Sequence, residues 1–319
     1  MKNDLTARLA AIGLAALCVY VYTLSDAKPP QEIASETPAV SATASPESMI
    51  IPELVRLTPH PVAETESNIR EATITGGLEM KNETSYNIDM SAVIAGGTDI
   101  RLDSAGAQIL IIHTHSSEAY TPAGLDRYES SDTCRTQDTQ FNVIRIGDEL
   151  ADIYTEAGLN VIHDRGVYDY PSYTGSYTRC GEAIESYVEQ YPTVKIVIDL
   201  HRDALGSGDV VYKTVAEEDG TCASQVMLLV GTNESGLEHP NWRSNLSLAF
   251  YLQNAVNDAY PTLMRPLDVV PQRYNQQLSP GSLILEVGSS GNTLQEALAA
   301  IRLFGKATAP ALAALVTEE

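Results

Sequence analysis

Three of the six histidines in this 319-residue chain stand directly after two of its most apolar segments. Ile109 to Ile112 runs into His113-Thr114-His115-Ser116-Ser117-Glu118, and Val194 to Leu200 runs into His201-Arg202-Asp203. A third apolar segment, Leu283 to Val287, carries Glu286 one residue before its end and continues as Gly288-Ser289-Ser290-Gly291-Asn292. Imidazoles with a carboxylate are the ligand set of catalytic zinc, which keeps one position open for water. The bound water has its pKa lowered toward ~7. A carboxylate that is not a ligand then takes its proton, and Glu286 is the candidate. A charged, unpaired glutamate near the end of a buried strand costs several kcal/mol. A cationic partner or an acidified water is therefore expected beside it.

A single histidine after a strand is ordinarily a turn residue. Polar groups at three strand ends together are harder to explain that way. His60 falls in a proline-rich stretch, His163-Asp164-Arg165 has no second ligand beside it, and His239-Pro240 reads as a loop; these three are expected to be structural. Asp199 either accepts a hydrogen bond from an imidazole or is a buried structural carboxylate. There is no Gly-x-Ser-x-Gly elbow, no phosphate-binding glycine loop and no Gly-x-Gly-x-x-Gly after the first buried strand. Cys134, Cys180 and Cys222 lack the spacing of a zinc or redox motif. A disulfide between two of them is left open.

The elements that must position these residues follow from periodicity. Gln108 to Ile112, Leu159 to His163, Val194 to Leu200, Gln225 to Val230 and Leu283 to Val287 read as buried strands. Glu71 to Thr75 and Ile88 to Ile94 read as short strands or a lead-in to a helix. Phe141 to Ala157, Tyr177 to Gln190, Asn241 to Tyr260 and Thr293 to Leu315 have helical spacing, and Gly158 follows the first of them as a terminating glycine should. Alternation of this kind predicts an α/β fold with a mostly parallel sheet flanked by helices. Sites in such sheets lie beyond the carboxyl ends of the strands, which brings residues far apart in sequence to one place.

The rest of the chain sets the context. Lys2 and Arg8 precede an apolar run from Leu9 to Leu24 that approaches the ~20 residues of a spanning helix. The charge asymmetry places the N-terminus inside and the bulk outside. Residues 1–27 are therefore expected to be a signal anchor. Residues 28–67 are rich in Pro, Ser, Thr and Ala without sustained period and are expected to be a flexible linker. Residues 68–319 are the expected catalytic domain, on the extracytoplasmic side of the cell membrane. With 20 Lys+Arg against 42 Asp+Glu the formal charge is −22, which excludes a nucleic-acid partner held by phosphate neutralisation.

Several segments together resemble the stage II sporulation protein P family: His113-Thr-His115-Ser-Ser-Glu118-Ala-Tyr120, Val161-Ile-His-Asp164, Tyr170-Pro-Ser-Tyr-Thr-Gly-Ser-Tyr177, Asp199-Leu-His201-Arg-Asp203, and Glu286-Val-Gly-Ser-Ser-Gly-Asn292. Met80 to Tyr86 is similar as well. The resemblance implies a membrane-anchored zinc N-acetylmuramoyl-L-alanine amidase, with endopeptidase activity on cross-links also implied. It implies a role in septal wall remodelling and engulfment, beside a lytic transglycosylase and a multipass membrane partner. By position it implies His113, Glu118 and His201 as metal ligands and Glu286 as the catalytic carboxylate. Asp138 is the alternative to Glu118, and His115 is either a ligand in place of His113 or a substrate-binding group. Asp203 is a further candidate. Two other readings are a wall-binding scaffold that kept the fold and lost the chemistry, and a zinc carboxypeptidase or deacetylase.

Overall fold

Runs of three to nine residues, most of them rich in Ile, Leu and Val, build a seven-stranded sheet. Its strands are β1 (Met80–Asn82), β2 (Ile109–Ile112), β3 (Val161–His163), β4 (Ile196–Asp203), β5 (Val226–Gly231), β6 (Leu267–Val270) and β7 (Gly281–Ser289). The computed structural model describes residues 69–72, 78–207, 210–218 and 220–317. The segments read as anchor and linker lie outside the described residues, and no described helix is long and apolar enough to cross a membrane.

The strand order is β1-β6-β5-β7-β4-β2-β3. Every neighbouring pair is parallel except β5 with β7, which is antiparallel. The fold is thus mixed α/β with a mostly parallel sheet. One consequence is local: the carboxyl ends of β2, β4 and β7 share an edge with the amino ends of β5 and β6. In register, Glu286 of β7 pairs with His201 of β4, and Ile112 of β2 pairs with Asp199.

Among the described residues five α-helices accompany the sheet: α1 (Met90–Gly96), α2 (Val143–Glu156), α3 (Ser176–Gln190), α4 (Trp242–Ala259) and α5 (Leu294–Ala313). The segment Ile88 to Ile94 enters α1, because the Asp89 side chain accepts a hydrogen bond from Ala92 N and caps it. Asn142 caps α2 in the same way, and Thr293 with Glu296 forms a capping box on α5. Each such cap is worth ~1 kcal/mol.

Side chains alternate across a strand, and the two faces of the sheet are covered differently. Ile109, Ile111, Ile196, Ile198, Leu200, Leu283, Leu285 and Val287 join the main core, with Ile146 and Leu150 of α2, Leu248 and Leu252 of α4, and Ile301 and Phe304 of α5. Each fully buried Leu or Ile there contributes about 1.5–3 kcal/mol. On the other face Leu110, Ile112 and Val197 pack on Cys180 and Ile184 of α3. Along β4 that second face continues 197, 199, 201. Asp199 and His201 therefore come up just where the α3 contact ends. Cys134 and Cys180 are free thiols.

Candidate functional site

The parallel register of β4 and β7 sets His201 beside Glu286, and the loop after β2 folds over both. That loop is held from several sides. Asp199 accepts from Thr114 N at 2.8 Å and from Thr114 Oγ1 at 2.7 Å, tying the end of β2 to β4. Asp169 accepts from Ser116 Oγ, Ser117 N and Ser117 Oγ. Arg202 is buried and donates to the carbonyls of Ala119 and Cys134, each at 2.9 Å.

Glu118 is buried on this loop and charged. Its Oε1 takes a bond from Arg135 Nη2 at 3.3 Å, and its Oε2 takes one from Arg202 N at 3.2 Å. Burial favours the neutral acid, but Arg202 and then His201 outweigh it and hold the carboxyl far below its usual range. His201 lies between two carboxylates, with Nδ1 3.3 Å from Glu118 Oε2 and Nε2 2.9 Å from Asp199 Oδ1. Burial works against the imidazolium, but Asp199 and Glu118 raise its pKa well above the ordinary histidine value. His115 faces His201 with ring centroids 5.3 Å apart and planes nearly perpendicular. Burial and the charge of His201 lower its pKa to about 4, so it is neutral.

Glu286 completes the cluster. Burial, then the negative charge of Asp203, raises its pKa to about 8. Asp203 itself receives Arg265 Nη1 at 2.8 Å. Two shielded atoms here make no hydrogen bond: His115 Nδ1 and Glu286 Oε2. Buried polar atoms without partners are uncommon and point to something that satisfies them.

Of the residues singled out in the sequence, the structure brings together His115, Glu118, His201 and Glu286, with Asp203 alongside. It does not bring His113 to them. The His113 ring turns the other way, donating Nδ1–H to the carbonyl of Leu200 at 2.9 Å and meeting His163 Nε2 with its own Nε2 at 2.9 Å. His113 continues the face of Ile109 and Ile111 toward α2, opposite the face that carries Asp199 and His201, and the turn at residues 114–117 takes His115 off that face. Asp138 is also elsewhere. It receives Gln140 N at 3.0 Å in the loop before α2. Asp199, left open between two roles, touches His201. Arg135, Asp169 and Tyr173 surround the site through loop contacts and are not among the sequence candidates; only Tyr173 falls within a family-like segment, Tyr170 to Tyr177.

A family model described as stage II sporulation protein P (SpoIIP) matches residues 28–309. This chain belongs to the stage II sporulation protein P family. The SpoIIP match begins within the stretch read as a linker and runs through most of α5. The stage II sporulation protein P of Bacillus subtilis (strain 168) is 24% identical over 203 residues, covering 59% of this chain and 47% of that one. The chain thus matches just under half the length of this curated SpoIIP relative. Solved structures similar to this SpoIIP member include the N-acetylmuramoyl-L-alanine amidase AmiC2 of Nostoc punctiforme, with TM-score 0.38 and 12% identity, covering 65% of this chain and 96% of that one. The amidase Ami1 of Mycobacterium smegmatis has TM-score 0.40 and 11% identity, covering 67% and 98%. The CwlD amidase of Clostridioides difficile, solved with the GerS lipoprotein, has TM-score 0.38 and 10% identity, covering 65% and 98%.

Proposed function

We propose that this SpoIIP-family chain is a zinc-dependent peptidoglycan hydrolase that cleaves the amide between N-acetylmuramic acid and L-alanine during sporulation. The observation that carries the reading is the cluster of His115, Glu118 and His201 with Glu286 on the adjoining strand.

The donor set fits zinc in its chemistry. His115 Nδ1 is a shielded nitrogen without a hydrogen bond, His201 is a buried imidazole beside Glu118, and Glu118 is held ionised by its neighbours. Among the described residues no three His, Cys, Asp or Glu side chains stand as a ready-made metal cage. The second proton of His201 balances Glu118 and Asp199 instead. With that proton released, His115, Glu118 and His201 would hold zinc, which supplies Lewis acidity and an acidified water.

The chain's own residues do the rest. Glu286 takes a proton from the attacking water as the amide carbon is attacked, and gives it to the departing nitrogen. Its raised pKa suits the second half, because a carboxyl that keeps its proton to about 8 can act as an acid near neutrality. Asp203, itself paired with Arg265, maintains that pKa through its charge. Asp199 orients His201 and fixes Thr114.

The proposal extends to the setting implied by the family resemblance. Residues 1–27 anchor the protein, residues 28–67 give reach, and residues 68–319 work on the septal wall outside the membrane. A lytic transglycosylase and a multipass membrane protein are its partners, and cross-link cleavage is a second activity.

The test uses the full-length chain with purified sacculi, with and without a chelator. Soluble peptide should appear with a new N-terminal alanine, leaving a free lactyl group on muramic acid. Release should stop with chelator and return with zinc. Binding to sacculi without release would favour the inactive scaffold, and a different product would favour the peptidase or deacetylase.

A further inference from the structure

The loop between β3 and α3 carries Val167, Tyr170 and Tyr173, all large apolar or aromatic side chains left exposed. Tyr173 is 57% exposed, yet its ring stacks on His115 at 4.5 Å with planes 13° apart. One ring therefore touches the candidate site and the solvent at once. Single exposed apolar residues are ordinary, but three within residues 167–173 of one loop, one of them stacked on the candidate site, mark a binding surface.

The loop is held rigidly in this pose. Asp169, whose side chain is fully buried, takes bonds from Ser116, Ser117 and Arg135. Arg179 of α3 donates to the carbonyls of Tyr168, Ser172 and Thr174. The cations around the loop are engaged as well, Arg179 by these carbonyls and Arg165 by Asp148. Arg135 lies 5.1 Å from the centre of the Tyr173 ring, but its guanidinium is engaged by Asp169 and Glu118. No charge is left over there to receive a carboxylate. The carboxyls of the cleft, Glu118, Asp199, Asp203 and Glu286, disfavour an anionic ligand further. Flat aromatic faces, hydroxyls and no available cation suit a neutral polyol with a flat C–H face.

We propose that Tyr173 and Tyr170 form a platform for the N-acetylhexosamine rings of a glycan strand, seating the sugar next to His115. The inference rests on the hydrolase reading for its substrate class, but binding to the platform is separable from cleavage.

The probe is the uncharged β-1,4-linked tetramer of N-acetylglucosamine, which has no peptide and no amide bond to L-alanine. Its affinity for the full-length chain is measured by calorimetry. Tyr173→Ala and Tyr170→Ala should each weaken binding about three- to tenfold, with larger loss in the double variant. Tyr173→Phe should keep the affinity within about twofold, since the ring remains. Tyr170→Ala guards against misfolding at the stacked position. The wild-type chain failing to bind the tetramer would overturn the platform, as would folded alanine variants that bind it unchanged. A loss seen only with a sugar-free stem peptide would overturn it too. Sacculus hydrolysis on the same preparations separates the two readings. Ring-dependent binding without hydrolysis removes the hydrolase and keeps the platform; hydrolysis without tetramer binding does the reverse.

Discussion

The imidazole of His113 meets that of His163 at 2.9 Å between their Nε2 atoms, edge to face, directly beneath Gly147 of α2. Leu200 fixes the tautomer of His113: its carbonyl takes the Nδ1 proton, so Nε2 is an acceptor and His163 is the donor. Burial, then the neighbouring charge of His163, lowers the His113 pKa to about 3. The pair joins β2, β3 and α2 behind the candidate site.

Gly147→Ala tests that packing. A methyl group there would lie 2.6 Å from His163 Nε2 and 2.7 Å from His113 Nε2. Alanine gains about 1 kcal/mol of helix propensity over glycine. Overpacking a filled core costs about 1–3 kcal/mol. The net effect is expected to be a loss of about 1 kcal/mol, read as a lower urea midpoint. An unchanged or higher midpoint would mean the rings yield freely.

Zinc content should sort the histidines. His115→Ala and His201→Ala should lose most bound zinc, and Glu118→Gln should weaken it. His113→Ala should keep the metal while losing stability by about 1–3 kcal/mol, because its buried bonds are removed. Elemental analysis with melting curves on the four variants decides. Zinc lost with His113 and kept with His115 would reverse the assignment.

Glu286→Gln should keep zinc and lower turnover by about 10²–10⁴. Stability gives a second readout. A carboxyl whose folded pKa is raised to about 8 favours folding at low pH, and that contribution is lost as pH rises from its unfolded value through 8. The metal-free variant should therefore be at least as stable as the parent at pH 8. If Glu286 were only a salt-bridge partner, the variant would melt earlier and turn over normally.

Glu149 of α2 clasps Arg302 of α5 at 2.7 Å, with Arg145 at 3.2 Å. Burial opposes the charge, but Arg302 and Arg145 outweigh it and lower the pKa. A depressed carboxyl stabilises above its unfolded pKa, about 4.3, and the benefit disappears as pH falls through the folded value. Glu149→Gln should cost about 0.5–1 kcal/mol at pH 7. Denaturation curves of parent and variant should converge in acid. A difference that persists below pH ~3 would assign the loss to packing.

Much of this arrangement was legible before any coordinates. The apolar runs ending in His113, His201 and Val287 are strands β2, β4 and β7, and the four long periodic segments are α2 to α5. The short strands were not visible: β1 is three residues, and β6 is four residues between Pro266 and Pro271. Nor does an apolar run reveal its direction, so the antiparallel step between β5 and β7 carried no signal. The choice between His113 and His115 failed for a related reason. The two positions share a face in an extended chain and part only where the chain turns at residues 114–117, and spacing alone cannot fix that. Tyr173 and Asp169 reach the site through a loop, where neither period applies.

The central strand of the sheet is the last of its seven in chain order. β7 alone joins β5, β6 and β1 on one side to β4, β2 and β3 on the other. The two halves of the sheet therefore stay unconnected until residues 281–289 are in place. The same residues bring Glu286 to His201. A chain cut anywhere before residue 281 would therefore lack both the joined sheet and the assembled cluster, however complete its other strands.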